Sequence, residues 1–155
     1  MQKIKATGNK DATEEILKCI GMSPNKIGFI YLKAIINKMW EENGKEQKKF
    51  NYYVDIIGKE TGLSFGQIYP GIKYAIEEAW FLGDFNIIEY IFGYSVENVV
   101  TEAPKPDKFV DGILNIISEI ERNGSDVIAF FNFLKNGGYA IGKFNELNYL
   151  NKYKI

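Results

Sequence analysis

The fold is decided by residues 46–82, which read EQKKFNYYVDIIGKETGLSFGQIYPGIKYAIEEAWFL. Apolar residues recur every three or four positions on both sides of a short break, which predicts two amphipathic helices over 45–61 and 64–82. Gly62 is expected to end the first of them in a left-handed conformation. Two helices joined by so short a turn are typical of a helix-turn-helix.

The start of the second of these helices carries two opposing signals. Ser64 is a favourable N-cap, and Gln67, three residues later, completes a capping-box pattern. Pro70 cannot donate to the carbonyl of Gly66 and clashes with it, at a cost of about 3 kcal/mol unless the helix bends. Either the helix is kinked at Pro70, or it begins near Pro70 and residues 64–68 form a separate turn.

Further helices are predicted on both sides of this pair from capping residues, apolar spacing and Gly or Asn stops. They are a helix over 11–20 ended by Gly21, a second capped by Ser23-Pro24 and stopped at Asn43-Gly44, a fifth over 84–92 capped by Asp84, a sixth capped by Asp107 and stopped at Asn123-Gly124, and a seventh that begins at Ser125 and ends at Asn136. The aromatic-rich tail, 139–155, fits either a hairpin or an extended arm.

Helical spacing also predicts the side chains of the core. For the second and third helices they are Ile27, Ile30, Tyr31, Ala34, Ile35 and Met39, and Phe50, Tyr53, Val54 and Ile57. For the fourth and sixth they are Ile72, Ala75, Ile76, Ala79 and Trp80, and Phe109, Val110, Ile113, Ile116, Ile117 and Ile120. Trp40 and Cys19 are expected to be core residues as well.

The length of 155 residues favours one domain. We predict an all-α fold of six to seven helices that contains the helix-turn-helix. A basic N-terminal arm over 1–10 precedes the domain, which spans 11–122, and an extension of uncertain structure follows over 123–155.

Composition excludes several chemistries. Cys19 is the one cysteine and histidine is absent, so no intramolecular disulfide, Cys–His nucleophile or histidine-based zinc site can form. We therefore expect no catalytic residues, no metal and no cofactor, and we do not expect an enzyme. The N-terminus lacks the apolar core of a secretory signal, and no apolar run is long enough to cross a membrane, so a cytoplasmic protein without membrane contact is predicted.

The net charge of −1 is unevenly distributed. Residues 1–10 and 127–155 each carry +3, whereas residues 55–126 carry −8. Because affinity for nucleic acid depends on basic residues that neutralise phosphates, acids near the helix-turn-helix argue against such binding. Those acids are Asp55, Glu60, Glu77, Glu78 and Asp84, against Lys59 and Lys73.

Four stretches carry a resemblance to a known family: IGMSPNKIGFIYLKAI (20–35), YVDIIGKETGLS (53–64), IKYAIEEAW (72–80) and IFGYSV (91–96). In this order and spacing they resemble the C-terminal DNA-binding effector domain of the sporulation master response regulator, stage-zero sporulation protein A, of endospore-forming Firmicutes. The resemblance covers roughly residues 12–121. It implies an all-helical, cytoplasmic transcription factor that binds double-stranded DNA through the helix at 64–82. Only about ten residues precede the match, so a receiver domain and control by phosphorylation are not expected.

The resemblance also points to particular positions. Where the family places arginines in the first turns of the DNA-reading helix, this chain has Gln67, Pro70, Lys73 and Tyr74. Gln67 could read adenine through its N6 and N7 edge, or be occupied as the capping partner. Tyr74 could contact phosphate or a thymine methyl, or simply pack. The predicted DNA-binding residues are Ser64, Gln67, Lys73 and Tyr74, with Lys45, Lys48 and Lys49 as a phosphate clamp; for these last three, a solvated loop is the alternative.

Two functions follow as hypotheses. The first is a DNA-binding transcriptional regulator, expected to act as a homodimer because two half-sites strengthen weak reading. The second is a protein-interaction module of the same fold that no longer reads DNA. Such a module would act as antagonist or adaptor of a transcription regulator or of the transcription machinery, and the acidic middle segment, Pro70 and Gln67 favour it.

Overall fold

The computed structural model describes residues 12–42, 48–92 and 103–123, together with position 129. These ranges hold six helices and no strand, which confirms the all-α prediction: α1 (12–20), α2 (Ile27–Glu41), α3 (Phe50–Thr61), α4 (Phe65–Leu82), α5 (Phe85–Phe92) and α6 (Pro106–Asn123). Within these ranges, no helix combines the length and the apolar character needed to cross a lipid bilayer. The basic arm over 1–10, Lys45, the predicted seventh helix except position 129, and the tail lie outside the described residues.

The buried faces of α3, α4 and α6 are those predicted. All the side chains assigned to the core of these three helices are less than a tenth exposed, and Ile68 of α4 joins them. Aromatic contacts connect the last three helices: the Trp80 and Phe92 ring centroids lie 5.5 Å apart, and those of Phe92 and Phe109 lie 5.4 Å apart. The core therefore forms a continuous layer beneath α4.

The contact between α2 and α4 depends on a glycine. A Cβ atom at Gly28 would overlap the carbonyl oxygen of Gly71 and would lie 2.7 Å from the Cβ of Ala75. Because no other residue type fits this crossing without moving a helix, Gly28 lets the backbones approach closely. This close approach packs α4 against α2, and the side of α4 that faces away from α2 is exposed.

The buried face predicted for α2 is partly wrong. Tyr31, Ile35 and Met39 are buried as expected, but Ile27 and Ile30 are each 51% exposed. Three side chains outside the predicted stripe are buried in their place: Phe29, Leu32 and Ile36. Since α2 carries apolar residues on most sides, periodicity alone does not select its inner face, and the close approach at Gly28 selects it instead.

Two predicted starts are also wrong. The α2 helix begins at Ile27, with Lys26 as N-cap, because Ser23–Lys26 forms a separate turn in which the Lys26 N–H donates to the Ser23 carbonyl at 3.0 Å. The α3 helix begins at Phe50, and Lys48 is not helical.

Asp107 does not cap α6. The Phe109 N–H donates to the Lys105 carbonyl at 2.9 Å, so Lys105 occupies the N-cap position and Pro106 the first helical position. Proline is favoured there because it has no N–H to satisfy. Asp107 lies in the first turn, where a carboxylate is still favourable for the helix dipole.

The start of α4 distinguishes between the two arrangements expected around Pro70, a helix that continues through the proline and a separate turn over 64–68. The helix runs without interruption from Phe65 through Pro70, so the alternative of a separate turn over 64–68 is wrong. The predicted capping box is confirmed, and Gly62 has φ +81°, the left-handed stop expected after α3. Gly66 and Pro70 are both exposed, so the carbonyl that Pro70 leaves without a helical partner lies where water can reach it.

Candidate functional site

The N-terminal half of α4 presents its polar side chains to solvent. Ser64, Gln67, Lys73 and Tyr74 are all exposed, so the four residues predicted at this helix share one accessible side of the molecule. Pro70 lies among them and is exposed as well. No acidic residue occurs between Ser64 and Ile76. We call the surface formed by Gln67, Pro70, Lys73 and Tyr74 the α4 face.

A groove of about 480 Å³ lies on one side of the α4 face and collects lysines from two other elements. Lys48 and Lys49 precede α3, and Lys105 precedes α6. The structure therefore brings two of the predicted lysines together with Lys105, which the sequence analysis missed because Lys105 stands between two prolines in what was only a loop. The remaining polar and aromatic side chains of this lysine groove are Phe50, Asn51, Tyr69, Asp107 and Asp111.

Tyr53 fixes the start of this lysine-bearing segment. Its ring is fully buried, its hydroxyl donates to Glu42 Oε1 at 2.5 Å, and the same hydroxyl accepts the Lys48 N–H at 3.2 Å. Burial, and then the hydrogen bond to Glu42, raise the pKa of Tyr53 above its ordinary value. One phenol thus joins the end of α2 to the backbone of Lys48.

Tyr69 connects the lysine groove to α4. Its ring stacks on Phe65 with centroids 5.1 Å apart and meets Phe50 edge-on at 6.4 Å. Burial raises the pKa of Tyr69, and the negative charge of Asp107 raises it further. The phenol is therefore neutral near pH 7 and can donate a hydrogen bond at the edge of the groove.

Lys26 adds a positive charge on the other side of the α4 face. Its Nζ lies 3.8 Å from Glu78 Oε2 and 5.6 Å from the ring centroid of Tyr74. A cation at this distance from an aromatic ring is attracted to it. Because Glu78 offsets its charge, Lys26 is a paired cation beside Tyr74, and the lysine groove is the basic surface next to the α4 face.

Three of the acids that argued against a polyanion partner are engaged inside the protein. Glu60 pairs with Lys38 at 3.1 Å, Glu78 pairs with Lys26, and Asp84 accepts the Ile87 N–H at 3.2 Å as the predicted cap of α5. Such exposed ion pairs contribute at most about 1 kcal/mol each to stability, but each pair cancels a local negative charge. The other two acids stay near the α4 face: Asp55 lines the groove beside Gln67, and Glu77 follows Lys73 by one helical turn.

A second groove, of about 680 Å³, follows the turn between α3 and α4. Asp55 and Lys59 face it from α3, and Ser64, Phe65 and Gln67 face it from the start of α4. The predicted residues Ser64 and Gln67 therefore belong to the rim of a concave surface.

Large apolar side chains are exposed near both ends of the α2–α4 contact. Their exposed fractions are 51% for Ile27, 51% for Ile30, 57% for Phe81 and 79% for Leu82. Contiguous exposed apolar surface in a folded protein is typical of a contact with another macromolecule. Phe81 and Leu82 lie at the C-terminal end of α4, away from the α4 face.

Comparison with known proteins adds no relative to these observations, because no family model, curated protein or solved structure matches the chain. In the part of the chain that the structure describes, no three His, Cys, Asp or Glu residues lie close enough to hold a metal ion.

Proposed function

We propose that the protein is a DNA-binding transcriptional regulator of the sporulation-regulator effector type, which inserts the N-terminal half of α4 into the major groove. The observation that carries the proposal is the α4 face: an exposed helical surface within residues 64–76, which hold no acidic residue, with the lysine groove beside it. The resemblance of four sequence stretches to that family supports the same assignment.

The dimensions and charges suit double-stranded DNA. The major groove, about 12 Å wide, admits a single α-helix, and its walls are phosphate backbones. With Gln67 and Tyr74 over the base edges, Lys26 would approach one strand, and Lys73 and the lysine groove would approach the other. The proposed contacts with phosphate are those of Lys26, Lys48, Lys49, Lys73 and Lys105, together with Lys45 from the sequence prediction.

The cellular setting belongs to the same proposal. We infer a cytoplasmic regulator that binds DNA as a homodimer, since two copies of one α4 face would read two half-sites. Sedimentation at increasing protein concentration tests the dimer. A monomer at every concentration, with and without duplex, would contradict it.

Fluorescence anisotropy with labelled duplexes at several salt concentrations tests the proposal. Binding should be measurable at about 50 mM salt, and log K should fall against log salt with a slope of about −5, as expected for six phosphate contacts. Lys73→Ala should reduce the slope by about one unit. The matched control is Lys18→Ala, because Lys18 pairs with Glu14 and Glu15 on α1 and should leave the slope unchanged. Absence of binding at about 50 mM salt would overturn the proposal.

The exposed Phe81 and Leu82 favour the second hypothesis, a protein-interaction module acting on a transcription regulator or the transcription machinery. A tagged protein should then recover such a partner from cell lysate, and the double variant Phe81→Ser, Leu82→Ser should lose it. Tyr52→Ser, which removes an exposed aromatic residue from α3, is the control. Equal recovery by all three proteins would contradict a partner at this end of α4.

A further inference from the structure

The side chain of Gln67 is already held by the protein. The backbone N–H of Ser64 donates to Gln67 Oε1 at 2.8 Å, which is one half of the capping box. A backbone N–H can only be satisfied by the oxygen of the amide, so this bond fixes which end of the Gln67 amide is oxygen and which is nitrogen. The expected capping role of Gln67 is thereby confirmed.

The other end of the amide remains available. Gln67 is exposed, and within the described ranges its NH2 group makes no hydrogen bond to the protein. Because the oxygen points back to the start of the helix, the group that Gln67 offers to a partner is a pair of N–H donors. The cap also restricts the side-chain rotamer, so less conformational entropy is lost when the donors are used.

We propose that Gln67 is a specificity-determining residue that reads a base as a hydrogen-bond donor and prefers guanine. This inference rests on the proposed function, because it requires that the α4 face enters the major groove. Guanine presents two neighbouring acceptors there, N7 and O6. Adenine presents N7 beside an N6 donor, and its bidentate recognition requires the amide oxygen and nitrogen to face the base together. The capping bond holds that oxygen away, which disfavours the adenine alternative.

One substitution distinguishes the recognition of a base by Gln67 from its role in the capping box. Gln67→Glu keeps the capping box, since glutamate is as suitable as glutamine at this position, but it replaces the donor with an acceptor. Glutamate accepts from the N4 amino group of cytosine, so the preferred base should change from guanine to cytosine. The thermal midpoint of the Gln67→Glu variant should equal or exceed that of the wild type, because a carboxylate is favourable in the first turn of a helix.

The added negative charge needs its own control. Asn86→Asp introduces the same charge in the first turn of α5, outside the α4 face and both grooves. It should weaken binding to all duplexes by a similar factor and leave the base preference unchanged.

Selection of duplexes from a random pool, carried out in parallel with the three proteins, tests the inference. The wild type and Asn86→Asp should enrich guanine at one position where Gln67→Glu enriches cytosine. In the selected duplex, replacing that guanine by 7-deazaguanine, which lacks N7, should weaken wild-type binding at least about fivefold. Two results would overturn the inference while leaving DNA binding intact. One is enrichment of adenine by the wild type, and the other is enrichment of the same base by the wild type and by Gln67→Glu. Failure of all three proteins to enrich any duplex would overturn both this inference and the proposed function.

Discussion

The N-terminal half of α4 exposes Gln67, Lys73 and Tyr74, whereas the C-terminal half exposes Phe81 and Leu82. Both halves bury one continuous apolar stripe, so the pattern that forms the helix is the same along its length. The difference lies in the neighbours: the lysines before α3 and α6 line the groove beside Tyr69 in the first half, whereas Lys26 pairs with Glu78 in the second half. The comparison teaches that in α4 periodicity determines which side of the helix is buried, while other elements determine what its exposed side can bind.

Each half is held in place by a different glycine, and this allows the halves to be disturbed separately. Alanine at Gly28 would overlap Gly71 beneath the N-terminal half, and alanine at Gly83 would overlap the carbonyl of Ile20 beside the C-terminal end. We expect each substitution to lower the free energy of unfolding by about 1–3 kcal/mol through overpacking, measured by urea unfolding. Among the folded molecules, only Gly28→Ala should weaken DNA binding.

Gly66→Ala is the matched control for both glycine variants. A Cβ atom at Gly66 would meet only Ser64 Oγ at 3.9 Å, so alanine should stabilise α4 by about 0.5–1 kcal/mol. Destabilisation by Gly66→Ala, or tolerance of alanine at position 28, would contradict the packing described for α4.

Tyr53→Phe should affect the N-terminal half of α4 indirectly, because Tyr53 holds the backbone of Lys48 in the lysine groove. Loss of the bonds to Glu42 and the Lys48 N–H should cost about 1–2 kcal/mol near neutral pH, measured by thermal unfolding. Since the folded-state pKa of Tyr53 is raised above its ordinary value of 10.0, the stabilisation is fully present below about pH 10 and is lost as the pH rises through the folded-state value. The stability difference between wild type and variant should therefore shrink in alkali.

The control for Tyr53 is its neighbour. Tyr52→Phe removes the hydroxyl of a tyrosine that is 46% exposed, and it should change stability by less than about 0.5 kcal/mol. An equal effect of the two substitutions would show that the hydroxyl of Tyr53 does not hold the segment before α3.

Glu78→Gln is expected to have the smallest effect on stability and on DNA affinity. It tests whether an acid in the C-terminal half of α4 influences the N-terminal half. It removes the partner of Lys26 and should cost less than about 1 kcal/mol of stability. Because the variant has one acid fewer beside Lys26, DNA affinity should rise by about twofold at low salt, as measured by anisotropy. Weaker binding of the variant would show that Glu78 positions Lys26 for its contact.

The sequence predicted the buried face of some helices better than that of others. The α6 core, from Phe109 to Ile120, was predicted because polar residues occupy most of the remaining positions of that helix, with Pro106, Gly112 and Leu114 as the exceptions. The α2 helix lacks this contrast, so the exposure of Ile27 depends on its crossing with α4, a tertiary contact that local spacing does not encode. For the same reason the position of Lys105 beside Lys48 could not be predicted, since the two residues are far apart in sequence.

Hydrogen–deuterium exchange with and without duplex DNA tests the central claim most directly, because it reports on both halves of α4 in one experiment. The account predicts slower exchange on DNA binding over residues 64–74, with smaller protection over 48–53 and 103–108. Residues 77–92 should exchange at an unchanged rate. Protection confined to 77–92, or no change anywhere at low salt, would contradict it.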